Sequence, residues 1–240
     1  MVDDLLPPSP NWYCSQSSDC SEDGLFAYSA RSVVLLLDLR TSPPCYVGCL
    51  AGQAGHSNRV TAVKFGHGTR GKHLCATAGD DFSVKVWDVI GRAVKTEHHF
   101  HKEVKVTTIQ WCDSQVHQSL VVSGDEKGTL IWWNHASGEN REFVPEKRPI
   151  GSLASCPHNR DYVAVGYKTG LVLILDISGK GQIIHKLRGH DDEVQSISWS
   201  PDLGENIRLL QKSKEVCETT QPEEGTSPEA PSELPPPDSP

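Results

Sequence analysis

GHSNRVTAVKFGHGTRGKHLCATAGDDFSVKVWD, Gly55 to Asp88, is the stretch whose reading decides the fold. A Gly-His pair opens it and a Trp-Asp pair closes it. Between them lie three short runs rich in β-branched residues, 60–65, 73–78 and 83–88, separated by segments containing glycine. β-Branched side chains favour a pleated surface and glycine permits tight reversals, so the unit reads as consecutive antiparallel strands, with a fourth at 92–98.

Weaker copies flank this unit. VTAVKF at Val60 returns as VTTIQW at Val106, GSLASC at Gly151 and VQSISW at Val194, while Trp87 returns as Trp133 and then as Leu175. The period, about 43 to 46 residues, is the length of a four-stranded β-propeller blade, a unit that buries its faces only against neighbours. Gly55-His56 and Trp87-Asp88 resemble the signature pairs of the WD40-repeat family. The resemblance implies an all-β WD40 β-propeller, incomplete here, with about three complete four-stranded blades plus partial ones. Residues 1–10 read as a flexible leader, 11–200 as the partial propeller and 201–240 as a disordered acidic tail rich in Pro, Ser and Glu. The last repeat opens at Gly189-His190 and stops after SISWSP, which favours a fragment of a longer propeller protein.

The WD40 resemblance also assigns a role to the signature residues. It implies that His56, Thr77, Asp81 and Trp87 form one buried hydrogen-bond chain that locks a blade, a structural network rather than a catalytic one. Lys127 in GDEKGTLIWW and Thr169 in GYKTGLVLILD stand where the turn Asp belongs, and Leu175 replaces the Trp. Those blades are expected to rely on packing. Leu171 to Ile177, apolar on both faces, reads as a strand sandwiched between neighbouring blades.

Composition narrows the setting. The net charge is −8, but nine acidic and three basic residues fall in 201–240, so the blades are near neutral and leave room for a basic face. The tail holds half of the prolines and few aliphatic residues, the composition of a disordered segment, and carries Ser-Pro pairs at Ser227 and Ser239. The eight cysteines form no CxxC pair, Cys45 and Cys49 being the nearest approach, so no metal site is expected. Cys75, Cys112 and Cys156 lie on or beside strands, where a free thiol acts as a small hydrophobe. With no secretory leader and no apolar run long enough to cross a bilayer, the reading is a reducing cytosolic or nuclear compartment and no membrane. Nucleophile elbows, phosphate-binding glycine loops and metal sets are absent from the sequence, so neither an enzyme nor a cofactor is expected.

Two features remain. His98, His99, His101, Lys102, Lys105, Lys147 and Arg148 read as solvated loop residues between blades, and His98 and His99 point apart on an extended chain, which argues against a metal. Trp12 and Tyr13 stand side by side ahead of a strand pair at 25–31 and 33–39. Adjacent extended residues face opposite ways, so both cannot be buried in one layer. They either pack as part of a ring-closing strand or offer aromatic faces for unpaired bases to stack on.

LPPSPNWYC, HLCATAGDDFSVKVWDV, VVSGDEKG, VAVGYKTG and IIHKLRGHDDEVQSISW resemble the N-terminal part of the gem-associated protein 5 family, over most of residues 6–200. That resemblance implies an RNA-binding component of the survival-of-motor-neuron (SMN) complex. The family recognises small nuclear RNA through two joined seven-bladed propellers, reading the single-stranded Sm site and the 7-methylguanosine cap for spliceosomal particle assembly. It further implies SMN complex proteins as partners, an association with ribosomes or messenger RNA, and residence in cytoplasm and nucleus, including gems. The Trp-Tyr pair that contacts Sm-site bases falls on Trp12 and Tyr13, an arginine of the first strand pair on Arg31, and the acid of the GHDDE turn on Glu193. The cap pocket falls in blades that this sequence does not contain. The competing reading is a WD40 protein-interaction scaffold without direct RNA binding.

Overall fold

The computed structural model describes residues 8–112, 120–159 and 161–200. Residues 1–7 of the leader and the tail, with Cys217, Ser227 and Ser239, lie outside the described residues. The described chain builds four antiparallel sheets of four strands, each sheet made of strands consecutive in sequence. The first holds β1 (Ser18–Cys20), β2 (Leu25–Ala30), β3 (Val33–Asp38) and β4 (Cys45–Leu50). The second holds β5 (Val60–Phe65), β6 (Leu74–Gly79), β7 (Val84–Asp88) and β8 (Ala93–His98), with a single helical turn, α1 (Gly68–Gly71), between β5 and β6. The third holds β9 (Val106–Cys112), β10 (Leu120–Asp125), β11 (Leu130–Asn134) and β12 (Asn140–Phe143). The fourth holds β13 (Ile150–Ser155), β14 (Tyr162–Tyr167), β15 (Leu171–Asp176) and β16 (Gln182–Arg188).

Two of these strands lie where the sequence reads as loop. β1 has the sequence SDC and β12 NREF, short polar stretches without a β-branched run. Their partners fix them: β1 pairs with β2 from Ser18 opposite Tyr28 to Cys20 opposite Phe26, and β12 pairs along β11. The Asp19 carboxylate on β1 also accepts the Phe65 amide at 2.8 Å, tying the first sheet to the second. The first sheet thereby reaches four strands.

The period-2 alternation of strand side chains divides the apolar residues between successive layers. Ala27, Val34, Leu36 and Leu50 of the first sheet pack against Val60, Val63, Phe65, Cys75 and Trp87 of the second. The opposite face of the second sheet, Leu74, Ala76, Ala78, Val84 and Val86, meets Ile109, Trp111, Val121, Ile131 and Trp133 of the third. Leu120, Val122, Leu130 and Trp132 then turn to the fourth sheet and its Leu153, Val163, Val165, Leu173 and Leu175. The neighbours Trp132 and Trp133 thus enter separate cores. On β15 the alternate residues Leu171, Leu173 and Leu175 fill the core while Val172 and Ile174 are half-buried, so that strand is less evenly apolar-packed than its sequence suggests.

The first strands of successive sheets lie side by side, β5 beside β9 and β9 beside β13. Threonines stitch them: the Thr61 hydroxyl donates to Val106 O at 2.6 Å, and Thr107 donates to Ile150 O at 2.7 Å. Past β16, Trp199 Nε1 donates to Ala154 O at 3.1 Å and Val194 packs on Gly166. The VQSISW segment therefore lies against the fourth sheet without entering a ladder.

Candidate functional site

The turn Asn11 to Cys14, closed by a 3.0 Å bond from Cys14 N to Asn11 O, puts Trp12 and Tyr13 at its tip. They are 78% and 96% exposed, so packing within a blade is not what holds them. Asn11 anchors one end. Its amide nitrogen shares two N–H groups among Ser29 Oγ at 3.2 Å, Arg31 O at 3.0 Å and Val60 O at 2.8 Å, and its amide oxygen accepts from Arg31 N at 2.7 Å. A primary amide, with two donors and one acceptor, can complete backbone groups on two strands at once. Gln16 anchors the other end: its carbonyl accepts from Val63 N at 2.9 Å, its side-chain nitrogen donates to Leu153 O at 3.3 Å and its side-chain oxygen accepts from Thr108. Residues 11–16 thus bind all four sheets.

Beside this turn opens a cleft of about 440 Å³ lined by Trp12, Tyr13, Arg59, Asp80, Glu126, Lys168 and Glu193, with Thr61 and Thr107 among the other lining residues. Arg59 pairs with Asp80 at 2.8 Å and Lys168 with Glu193 at 3.5 Å. The structure therefore brings Trp12, Tyr13 and Glu193 to one cleft. Arg31 does not line it, but its backbone is bonded to Asn11, and its exposed side chain projects from the β2–β3 turn at φ 54°. Carboxylates here accept N–H groups, aromatic faces at the rim offer stacking, and the cations offer anion contacts. Asn11, Gln16, Arg59, Asp80, Glu126 and Lys168 went unread in the sequence. The Asn immediately before the aromatic pair is the signal that was available.

The structure also brings His56, Thr77, Asp81 and Trp87 together. His56 Nε2 lies 2.7 Å from Thr77 Oγ1, His56 Nδ1 lies 2.9 Å from Asp81 Oδ1, and Trp87 Nε1 donates to Thr77 Oγ1 at 2.8 Å. Burial works against the Asp81 carboxylate, but bonds from His56, Ser83 and the Ser57 amide outweigh it and hold its pKa well below the usual range.

One expectation is corrected in the third sheet. It does not rely on packing alone: His101 Nδ1 meets Asp125 Oδ2 at 3.0 Å and Nε2 meets Ser123 Oγ at 2.8 Å. Asp125 sits at the end of β10, two residues ahead of Lys127, and also accepts the Lys127 and Thr129 amides. Burial opposes its carboxylate, and these partners outweigh it and lower the pKa. His98 and His101 are accordingly buried, not solvated loop residues. His98 packs edge-on to Trp133, with ring centres 4.6 Å apart, and Trp133 and Trp111 also flank the buried His135. Burial, with His101 and His99 nearby, lowers the His98 pKa to about 3; burial and Lys95 lower that of His135 to about 4.

Cys75, Cys112 and Cys156 are buried free thiols, and burial pushes Cys112 up to about 12. Among the described residues no three His, Cys, Asp or Glu side chains gather in a metal-binding group, and no helix is long and apolar enough to cross a membrane.

Comparison with known proteins follows the same lines. The family model described as the RIG first beta-propeller matches residues 60–237. Gem-associated protein 5 of Homo sapiens is 42% identical over 225 residues, covering 90% of this chain and 14% of the relative. Its Mus musculus counterpart is 41% identical over 214 residues, covering 87% and 14%. Component of gems protein 5 of Dictyostelium discoideum is 26% identical, covering 82% and 19%. The chain thus spans about one seventh of the length of the two mammalian relatives. A chain in a crystal structure of the mitotic checkpoint complex superposes with a TM-score of 0.61 over 72% of this chain and 52% of that one; at 19% identity the likeness is one of fold.

Proposed function

The chain belongs to the gem-associated protein 5 family, and from that premise we propose that its β-propeller segment forms one wall of a groove for single-stranded RNA. The RNA is small nuclear RNA, read at its Sm site within the SMN complex. One observation carries the reading: two large aromatics stand exposed on a turn bonded to all four sheets, at the rim of a cleft lined by carboxylates. Leaving both in water forgoes the free energy of burying them, and anchoring them keeps their faces available. Stacking contributes roughly 1–3 kcal/mol per base.

The division of labour follows from the chemistry of each group. Trp12 and Tyr13 stack on bases. Glu193 accepts a base N–H while Lys168 balances its charge. Arg31 stacks its guanidinium plane on a base or pairs with phosphate. The same single-strand chemistry serves the family's association with messenger RNA or ribosomes, in cytoplasm and nucleus.

The test is fluorescence anisotropy with a short uridine-rich RNA, comparing the native chain with Trp12→Ala. Binding that weakens roughly fivefold or more on the substitution supports the reading, since one lost stack is worth about 1–3 kcal/mol. A second reading, a protein-interaction scaffold, draws on exposed apolar residues of the outer strands, Tyr46 and Val47 on β4 and Leu187 on β16. A protein partner retained after RNase treatment and in Trp12→Ala, with no RNA binding, favours it.

A further inference from the structure

A second cleft, about 250 Å³, opens next to the first and is lined by Glu146, Arg148, Thr169, Gly170, Arg188 and His190, with Leu171 beneath. Three connections meet there: the approach to β13, the β14–β15 turn and the exit from β16. The two clefts share a wall. Within the β14–β15 turn Lys168 lines the first cleft and Thr169 and Gly170 the second, and in the segment after β16 Glu193 lines the first and His190 the second. Gly170, at φ +78°, lets the segment after β16 close against this turn, because a Cβ there would stand 2.0 Å from His190 O.

The charges of the two clefts differ. In the first, each cation faces an acid: Arg59 with Asp80, Lys168 with Glu193. At the second, one carboxylate serves two cations, Glu146 lying 3.6 Å from Arg148 Nε and 3.5 Å from Lys186 Nζ. Arg188 makes no ion pair among the described residues, and it is exposed. The cleft lining thus sets two guanidinium groups, Arg148 and Arg188, against one carboxylate that Lys186, outside the lining, also engages, beside a threonine hydroxyl. Two guanidinium forks suit a tetrahedral oxyanion that accepts paired N–H groups.

We propose that this cleft binds phosphodiester groups of the same RNA strand whose bases enter the first cleft, with Arg148 and Arg188 as the contacting residues. The inference rests on the RNA reading above and extends it: bases go to the acid-lined cleft and the aromatic rim, and the backbone leaves across the arginines.

The experiment titrates the full chain with a fluorescein-labelled uridine-rich RNA across a range of salt concentrations. The proteins are the native chain, Arg148→Gln/Arg188→Gln and Trp12→Ala, with thermal unfolding confirming that each folds. Each phosphate contact contributes about 0.7 to the slope of log K against log salt for a single strand. The double arginine variant is expected to lower that slope by about 1.4, and Trp12→Ala to weaken binding with the slope unchanged. A strand carrying neutral methylphosphonates should erase the difference between native chain and arginine variant. Trp12-dependent binding with an unaltered slope in the arginine variant overturns the phosphate cleft and leaves the RNA reading intact. No RNA binding by the native chain overturns both. An acidic peptide that binds through the two arginines more tightly than RNA reassigns the cleft to a protein partner and overturns the proposal.

Discussion

The indole N–H of Trp87 donates to the Thr77 hydroxyl oxygen at 2.8 Å, and this bond, with the acceptor-only Asp81 carboxylate at the far end, orders the chain between them. An indole nitrogen only donates. With its oxygen accepting from Trp87, Thr77 sends its own proton to His56 Nε2, 2.7 Å away, and His56 in turn donates from Nδ1 to Asp81. Every polar hydrogen along this chain then has an acceptor.

Thr77→Val keeps the shape and deletes the hydroxyl. It leaves the Trp87 N–H and His56 Nε2 buried without partners, a loss of roughly 1–3 kcal/mol for each orphaned group. Urea unfolding should show a midpoint lowered accordingly, with Thr77→Ser recovering most of it. An unchanged midpoint in Thr77→Val means that the network contributes no net stability.

In the third sheet the acid that matters is Asp125. Asp125→Ala strands His101 and two backbone amides in a buried site, and a loss of about 2 kcal/mol or more is expected. Lys127 is exposed, and Lys127→Ala should stay within roughly 0.5 kcal/mol of native. The two midpoints, measured side by side, decide whether the acid has moved to the end of β10 or the turn position still governs.

The same contrast marks what was legible in the sequence. Runs with β-branched periodicity, such as VTAVKF and SVKVWD, declare themselves because local preference and burial agree. β1 and β12 do not, since SDC and NREF are strands only by virtue of their partners. The His101–Asp125 pair was hidden because the acid sits two residues from where the repeat pattern looks for it. The aromatic turn was visible as Trp12-Tyr13, but its anchors were not: Asn11 reaches Val60 and Gln16 reaches Leu153, contacts across 49 and 137 residues that no local pattern encodes.

Those anchors carry a prediction of their own. Asn11→Ala removes four bonds holding the start of the turn while leaving Trp12 and Tyr13 in place. Limited proteolysis should then cut within residues 11–16 faster than in the native chain, a readout independent of RNA. Affinity for uridine-rich RNA should fall several-fold, because the aromatics must be ordered on binding at about 1–2 kcal/mol per residue fixed. Faster cleavage with unaltered affinity would mean that the turn's anchoring is structural only.

Acid should destabilise the fold well above the range where carboxylates titrate. His98 and His135 are buried, with pKa values lowered from 6.5 to about 3 and about 4, and His98 Nε2 makes no hydrogen bond among the described residues. The groups facing them are Phe100, His101 and Trp133 around His98, and Trp111 and Trp133 around His135, with Lys95 acting on the latter from nearby. None of these is a carboxylate that stabilises the charged form. Below pH 6.5 the unfolded chain takes up protons that the folded chain refuses, so this part of the stability is complete above 6.5 and falls with pH. The slope is about 1.4 kcal/mol per pH unit for each histidine until its folded pKa is reached. The depressed Asp81 and Asp125 act in the acid range below about 3.8 and cannot account for a loss at higher pH. Urea unfolding between about pH 7.5 and about pH 5 should show this decline, with His135→Phe removing roughly half of the slope. A stability that is level across that range would mean that both histidines reach solvent and protonate without unfolding the third sheet.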